Sequence, residues 1–500
     1  DRFDGNLTLA YNKTIDKHML NVGVGSNIMQ SETEGESFTG VGFINPDMIF
    51  IGAANAFQEN TSPQGTYDKS RLVGFFTNVN YGYGNRYFLD FSFRSDGSSK
   101  FGRNSRFAPF WSLGVAWNVH NESFWHAHEK NALKLRASVG STGTTNFSST
   151  QALTTYLYDF SREYNGNFGV SLAGYGNSSL KWQTTLSYNV GVDFTFLHGL
   201  VVFNGDFYIK NTRSLLLPVT VAPSTGFIDY VENIGKLRNT GVEARLRFNL
   251  IQDAVKDLRW NVTLSAFHNR SKITQLSNQL ETINQYANDD RANQGTVVYR
   301  QFEAGRSQTA LMVVRSGGID PATGNEIYIK RNGEMTFEYN HNDKIECGDM
   351  KPKIEGNVNT NLNWKGFNLY MLFKYQYGGK IYNATLASKV EGANPLKNAD
   401  KRVLYDRWKE PGDHAKFRRI DDTSAPYQTT RLVFDNNLLA LQSVSLSYEL
   451  PRKISQKMYM ERVKLLLSST DLFRLSSVKQ ERGTSYPFAR TFSIGLNVTF

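Results

Sequence analysis

The sequence predicts an all-β fold, a transmembrane antiparallel β-barrel, and three observations predict it. Runs in which large apolar residues alternate with small or polar ones recur through the 500 residues. Aromatic residues make up 13% of the chain while mean hydropathy is −0.44, so rings are plentiful in a chain that is polar on average. The connections between runs are uneven, some a few residues long and others dozens. Alternation makes one face of each strand greasy and the other wet. A membrane barrel needs rings at two interfaces, a polar lumen, short turns at one end and long loops at the other. Long loops without regular structure count against a compact soluble domain.

The last stretch shows the pattern most plainly. Between Thr491 and Phe500 the large apolar residues are Phe492, Ile494, Leu496, Val498 and Phe500, with Ser493, Gly495, Asn497 and Thr499 between them. About ten residues is the length a tilted strand needs to cross a bilayer. The run ends on an aromatic, which resembles the C-terminal signal by which bacterial outer-membrane barrels are recognised for assembly. The last strand of a soluble sandwich alternates in the same way, so the rest of the chain has to separate the two readings.

Composition narrows the field. The sequence has no run of about eighteen apolar residues, so no transmembrane helix is expected. A single cysteine, Cys347, excludes an internal disulfide framework and reads as a lone thiol without a role. The net charge is +10, but Lys and Arg are spread out and no nucleic-acid motif is present, so no nucleic acid is expected. Anionic lipopolysaccharide, or an acidic substrate or partner, fits the charge better. The chain opens on Asp1-Arg2-Phe3-Asp4-Gly5-Asn6-Leu7-Thr8-Leu9, already alternating and without a signal peptide. An exported barrel must carry such a signal. The expectation is a mature product or the C-terminal part of something longer.

In chain order, Phe3–Tyr11 and His18–Asn27 form a hairpin around Asn12 to Asp16. Leu72–Tyr81 and Arg86–Arg94 flank a turn at Gly82-Tyr83-Gly84-Asn85. Ser95 to Gly102 is a polar, glycine-punctuated loop. Phe110–Val119 follows, with Trp111, Leu113, Val115 and Trp117 on one face. Asn121–Lys130 reads as a short helical turn capped by Asn121. Leu133–Gly140 is a strand and Thr142 to Ser179 a long polar loop. Leu186–Phe196 and Leu200–Lys210 meet across Leu197-His198-Gly199, and Gly241–Leu250 and Trp260–Asn269 form another pair. Ser271 to Gly348 is read as mostly loop. Glu355–Trp364 and Phe367–Tyr377 pair across Lys365-Gly366. After a polar stretch from Gly378 to Asp435 come Leu438–Leu450, Val463–Leu472 and the final strand. The total is on the order of fourteen to sixteen strands with almost no helix.

Several of these stretches resemble one family, the SusC-like (RagA-like) TonB-dependent transporters of Bacteroidetes outer membranes. Arg94-Ser95-Asp96-Gly97-Ser98-Ser99-Lys100-Phe101-Gly102 and the aromatic strand after it carry the first match. Leu133-Lys134-Leu135-Arg136-Ala137-Ser138-Val139-Gly140-Ser141-Thr142-Gly143 carries the second. Leu180-Lys181-Trp182-Gln183 with Asn189 to Asp193, Asn233-Ile234-Gly235 with Asn239 to Glu243, and Asp320-Pro321-Ala322-Thr323-Gly324 extend it. So do Tyr377 to Asn383, Arg407-Trp408 with Pro411-Gly412-Asp413, Ser445 to Pro451, and Tyr486-Pro487 with Arg490 to Ser493. The matches run in the family's order from about Arg86 to Phe500. Two departures stand out: the family usually carries Arg in the strand before the Leu446 to Pro451 run, where this chain has Ala440 nearby, and there is no Asp-Pro step between Val478 and Ser485.

Chemistry that breaks bonds finds no support. His126 and His128, with Trp125 and Glu129, lack a further ligand and a shared helical face, so no metal is expected. Asp320 to Glu326 lacks calcium-loop spacing and reads as a turn. Asp96-Gly97-Ser98-Ser99 has no nucleophile elbow and no His–Asp partner. Gly82 to Asn85 is a hairpin turn, since no helix follows to bind phosphate. Tyr156, Tyr158, Phe160, Tyr164 and Phe168 are candidates to stack on a sugar or peptide, or to pack loop against loop. No catalytic residue and no cofactor are expected.

The resemblance implies a 22-stranded barrel of which residues 1–500 are the C-terminal part, with plug and TonB-binding segment outside this chain. It implies a SusD-like surface lipoprotein as lid, TonB as energy source, and import of oligosaccharides or peptides across the cell outer membrane. The missing strands are expected upstream or on a separate chain, because an open barrel edge in lipid leaves backbone groups unpaired. Two alternatives stand beside import. One is a SusC-fold structural subunit of an outer-membrane assembly or secretion complex; the other is a barrel enzyme, which needs a nucleophile–base pair that the sequence does not offer.

Overall fold

The computed structural model describes residues 1–45, 47–48, 50–58, 64–126, 130–144, 152–165, 167–174, 176–220, 229–233, 235–276, 284, 301–394, 396–422, 424–479 and 490–500. β1 (Arg2–Ile15) and β2 (His18–Ser37) turn tightly at Asp16-Lys17, with Asp16 at φ 50°. Beyond β2, β3 (Gly40–Val41) pairs with β4 (Ala56–Phe57). β5 (Gln64–Tyr83) and β6 (Tyr87–Ser98) turn at Gly84-Asn85-Arg86. Gly84 and Asn85 both take positive φ, 57° and 54°, a backbone whose twist matches the strands it joins. β7 (Phe107–Asn118) and β8 (Ala132–Thr144) follow, then a small hairpin of β9 (Thr155–Tyr164) and β10 (Asn167–Gly174). β11 (Gln183–Phe196) and β12 (Val201–Arg213) turn at Leu197-His198-Gly199, and β13 (Leu216–Thr220) pairs with β14 (Asp229–Asn233).

β15 (Lys236–Asp253) and β16 (Leu258–Gln275) come next. β17 (Ala310–Ile319), β18 (Glu326–Ile329), β19 (Met335–Thr336) and β20 (Lys344–Asp349) form a separate four-stranded sheet. β21 (Ile354–Trp364) and β22 (Phe367–Tyr382) turn at Lys365-Gly366. β23 (Val433–Glu449), a short helix at Arg452–Lys457, β24 (Arg462–Ser476) and β25 (Thr491–Thr499) close the chain. Fifteen strands form one large sheet in the order β1-β2-β5-β6-β7-β8-β11-β12-β15-β16-β21-β22-β23-β24-β25, so neighbours in sequence are neighbours in the ladder.

The chain packs as two compact units. The first comprises Asp1–Val115, Val139–Leu186 and Thr212–Ile234. Its register lays Tyr11, Val22, Val79 and Phe91 in one apolar row across four strands. One residue further, Asn12, Asn21, Asn80 and Asp90 make a polar row, with Asn80 Nδ2 donating to Asp90 Oδ1 at 2.7 Å. Its buried cluster is Phe101, Ala108, Phe110 and Trp182. Trp182 stacks on Phe101 at 4.3 Å and donates Nε1 to the Arg106 carbonyl.

The second unit comprises Ala116–Ser138, Ser187–Asn211 and Gly235–Phe500. Here Ile494, Leu467, Leu446, Leu369, Leu362 and Trp260 stand opposite one another across six strands. The adjacent row on the other face is Ser493, Ser468, Ser445, Tyr370, Asn361 and Asn261. A one-residue slip anywhere would exchange these rows, so the alternation itself fixes the register. Its buried cluster lies away from the ladder: Leu311, Val313, Tyr382, Ala387 and Leu432.

Several expectations need correction. The first hairpin turns on two residues, not five, because Lys13, Thr14 and Ile15 pair with Leu20, Met19 and His18. Asn121 is the last residue of a 3₁₀ turn, Val119–Asn121, rather than the N-cap of a helical turn that follows it. The stretch read as loop from Thr142 to Ser179 contains β9 and β10, and that from Ser271 to Gly348 contains β17 to β20 and the start of the four-stranded sheet's core. Strand ends were also drawn short: β2 runs to Ser37 and β22 to Tyr382.

Candidate functional site

The large sheet has the two faces a membrane wall requires. On β25, Phe492, Ile494 and Leu496 are 66%, 86% and 61% exposed, on a strand that is otherwise fully laddered to β24. Val498 lies opposite Val463, and Phe500 is exposed at the end. The five residues singled out in the sequence therefore share one face. Each large apolar side chain that enters lipid instead of water gains about 2 kcal/mol, so the exposed rows have a lipid solvent. Aromatics gather at the tight-turn ends. His18 packs on Tyr83 at 4.9 Å in the first unit, and Phe367 on Tyr448 at 4.2 Å, near Trp364, in the second. Rings in this place form the interfacial girdle of a barrel.

The wet face carries ordered polar constellations. Arg136 on β8 donates to both oxygens of Asp193 on β11, at 2.8 and 3.0 Å, and to both oxygens of Asp206 on β12, at 3.1 Å each. Asn204 Nδ2 adds a bond to Asp193 at 2.8 Å. Gly191 permits the arrangement: a Cβ there would lie 2.6 Å from Asp206 Oδ1 and 2.7 Å from Arg136 Nη2. In the second unit Asn368 Nδ2 bridges Asn361 and Asn363 at 2.8 and 2.5 Å.

A compact head is built from β17 to β20 and residues 383–432. Its centre is a chain of buried ions. Arg431 donates Nη2 to Glu326 Oε2 at 2.9 Å and Nη1 to Glu391 Oε2 at 2.8 Å. Arg418 Nε donates to Glu391 Oε1 at 2.9 Å and its Nη1 to Asp422 at 2.5 Å. Thr429 Oγ1 completes Glu326 at 2.6 Å. Glu391 is fully buried and Glu326 nearly so. Burial pushes the Glu391 pKa up, but Arg431 and Arg418 outweigh it and hold the carboxyl below its ordinary value. Burial likewise opposes the charge on Arg431, and Glu326 and Glu391 overcome it, so its pKa is raised. Ions without water are tolerable only when every partner is in place.

Arg407 is held differently. Its Nη1 donates to the carbonyls of Arg418 and Arg419 at 3.1 and 3.3 Å, and its Nη2 to those of Glu391, at 3.0 Å, and Val390. Burial lowers its pKa. Next to it Trp408 lies against Gly324, where a Cβ would come within 2.5 Å of the indole, and donates Nε1 to the Pro321 carbonyl at 2.8 Å. Gly412 N donates to the same carbonyl at 2.9 Å. Asp413 Oδ2 accepts from the amides of Lys409 and Glu410 at 2.9 and 3.2 Å. Tyr339 stacks on Tyr427 at 4.1 Å, with Tyr328 edge-on to both.

The other sequence candidates fall as follows. Asp320 to Gly324 is a turn: Asp320 accepts from Ala322 N and Thr323 Oγ1 at 3.2 and 2.6 Å, and Gly324 takes φ 72°. His126 contacts the Phe124 carbonyl through Nδ1, while His128 and Glu129 lie outside the described residues, as do Tyr486 and Pro487. Among the described residues no group of three His, Cys, Asp or Glu gathers to hold a metal. Asp96 is bonded by Arg94 Nε at 2.5 Å in β6, Ser98 Oγ accepts from the turn amide of Lys100, and Ser99 Oγ accepts from the amide of Arg71 on β5. Tyr156 is exposed on β9; the side chains of Tyr158, Phe160, Tyr164 and Phe168 are outside the described set. Cys347 is half-buried, its thiol pKa raised by burial. Sequence reading missed Glu391, Arg418 and Arg431, and placed Glu326 only in the turn after Asp320. The signal that marks their setting is Leu311-Met312-Val313-Val314, a continuous apolar run of the kind a fully buried strand carries.

A two-faced antiparallel ladder with tight turns at one end and a folded head at the other defines the class: an outer-membrane β-barrel wall. The comparisons make the family explicit. Residues 1–310 match the TonB dependent receptor-like, beta-barrel family, and the chain belongs to it. TonB-dependent receptor P3 of Formosa agariphila is 26% identical over 98% of this chain and 52% of its own length. TonB-dependent receptor SusC of Bacteroides thetaiotaomicron is 27% identical over 64% of this chain and 32% of its own. The RagAB peptide transporter structure superposes with a TM-score of 0.86 at 22% identity, covering all of this chain and 55% of that one. The chain spans about half the length of the curated relatives it matches first. The SusC-like (RagA-like) resemblance read from the motifs, and the outer-membrane location, are borne out.

Proposed function

We propose that residues 1–500 form the C-terminal part of the barrel of a SusC-like importer, with the plug, the TonB-binding segment and the remaining strands in other parts of the whole protein or on a separate chain. The chain supplies wall, loops and ligand contacts, and breaks no bond. A SusD-like surface lipoprotein closes over the loop end, TonB acts through the plug, and an oligosaccharide or peptide passes to the periplasm. The apolar rows sit in outer-membrane lipid, and lipopolysaccharide meets their outer rim. Phe492, Ile494, Leu496, Val498 and Phe500 serve as the assembly signal.

The observation that carries this reading is the head of β17 to β20 and residues 383–432. Two of the family's sequence motifs meet in it at the Pro321 carbonyl, which accepts from both Trp408 and Gly412. A loop end fixed this firmly suits a lid that must find the same seat each cycle. The departure at Ala440 does not favour a structural subunit, since Lys374 and Arg474 flank it in the ladder and keep the region basic. The test is purification from native outer membranes in mild detergent, followed by mass spectrometry. One co-eluting SusD-like lipoprotein supports the importer; several assembly or secretion subunits in its place overturn it.

A further inference from the structure

The register of the second unit assembles a feature that no single stretch of sequence displays. Arg245 stands opposite Ser265, Ser265 opposite Asn357, Asn357 opposite Lys374, Lys374 opposite Ala440, and Ala440 opposite Arg474. This is one row across six strands, and it lies on the polar face. Arg245 shares that face with Asn249 of its own strand, and Lys374 shares it with Tyr370 and Asn368, which belong to the Asn/Ser rows. Arg247 occupies the next row, with its Nε on Asn249 Oδ1 at 3.0 Å.

With strands about 4.8 Å apart, Lys374 lies roughly 10 Å from the Arg474 position and roughly 14 Å from that of Arg245. Lys374 is also seven residues into β22 from Phe367, about 23 Å along the strand from the tight turn. Lys374 and Arg245 therefore lie near the middle of β22 and β15.

Among the described residues neither Arg245 nor Lys374 forms an ion pair. Glu243 and Glu355 sit one row further toward the loops, and Glu355 accepts from Gln376 Nε2 at 3.0 Å. Ala440, a small residue, stands between the Lys374 and Arg474 positions and puts no third long side chain there.

We infer that this row selects an anionic oligomer, a linear chain bearing carboxylate or sulfate groups, as the cargo that passes along the wall. The inference rests on the import reading above and names the substrate class. Spaced cations on a water-lined wall attract a polyanion through the field they sum to, and added salt screens that field. A neutral oligosaccharide of equal length gains nothing from them.

The test uses the full-length transporter complex in detergent and three labelled probes: a galacturonate hexamer, a glutamate hexamer and maltohexaose. Binding is measured by thermophoresis at about 50 mM and about 500 mM NaCl. At least one anionic hexamer should bind more tightly than maltohexaose and lose about tenfold in affinity at the higher salt. Whichever hexamer binds identifies a sugar or a peptide backbone. The Arg245→Gln/Lys374→Gln double variant should weaken the anionic probe about tenfold and flatten its salt dependence, while Arg245→Lys/Lys374→Arg retains both. Unchanged heat-modifiable gel mobility certifies the fold of each variant. Anionic probes that bind no better than maltohexaose, or binding indifferent to the double Gln variant, overturn the inference. Binding is read without TonB, so loss of uptake with intact salt-sensitive binding counts against the import reading and not against the charge row.

Discussion

The indole Nε1 of Trp408 donates to the backbone carbonyl of Pro321 at 2.8 Å, across 87 residues of chain. Pro321 has no N–H of its own, and its carbonyl takes a second bond from Gly412 N. A turn and a distant aromatic loop are thereby locked together. Trp408→Ala removes the cover over Gly324 and one of the two bonds, and should cost about 2–4 kcal/mol of local stability. Amide exchange in residues 320–326 and 407–419 should accelerate, while β15 and β16 keep their protection.

The buried ions give a sharper contrast. Arg431 is shared by Glu326 and Glu391. Arg431→Met leaves buried Glu326 without a cation and takes from Glu391 one of its two arginines, and should cost about 3–5 kcal/mol. Arg431→Lys retains charge without the fork that reaches both acids, so an intermediate loss is expected. Limited proteolysis of the head, followed by mass mapping, reads both.

Stability of the head should depend on pH at two ends. Glu391 has a folded pKa below its ordinary 4.5, so the stability it confers is present above that value and is lost as pH falls through the folded pKa. Lys344 is the opposite group. Burial lowers its pKa from 10.5 to about 8. Between those values the unfolded state binds more protons, so stability rises with pH across that window. Below about 8 the cost is constant, roughly 3 kcal/mol at 1.4 kcal/mol per pKa unit. Lys344→Met should raise the urea midpoint of the head at pH 7 and remove its rise between pH 8 and 10.5.

The two faces make opposite predictions for neighbours in sequence. Leu467 lies in the apolar row and Ser468 in the polar one. Leu467→Arg puts a charge into lipid and should destabilise by about 2–4 kcal/mol near the bilayer midplane, whereas Ser468→Arg should be tolerated. Urea unfolding in lipid vesicles separates them. Removal of Phe500 should lower the fraction of heat-modifiable barrel in the outer membrane if the terminal residues act as the assembly signal.

The wall was legible because alternation is a local property. Phe492 to Phe500 display it within ten residues, and Gly84-Asn85 and Lys365-Gly366 mark their turns by composition. Strand length was less legible. Beyond Asn27, β2 leaves the alternating pattern for Glu32, Glu34 and Glu36, yet it stays laddered to β5, where Tyr67 and Lys69 bond Glu32 at 2.5 and 2.9 Å. Strands that rise into water no longer need a greasy face. The head was illegible for another reason. Glu326, Glu391, Arg418 and Arg431 are scattered over a hundred residues of polar sequence and meet only through tertiary structure. The Arg136, Asp193 and Asp206 cluster likewise depends on three strands, with separations of 57 and 70 residues.

The most direct measurement of the central claim is uptake of a labelled oligomer by cells that carry the full-length protein, with TonB intact or deleted. The account predicts uptake that requires TonB, collapses when a protonophore dissipates the inner-membrane gradient, and falls when the head is loosened by Trp408→Ala. Cells that grow and take up every probe equally with and without this protein, while losing assembly or secretion of other outer-membrane proteins, would contradict it.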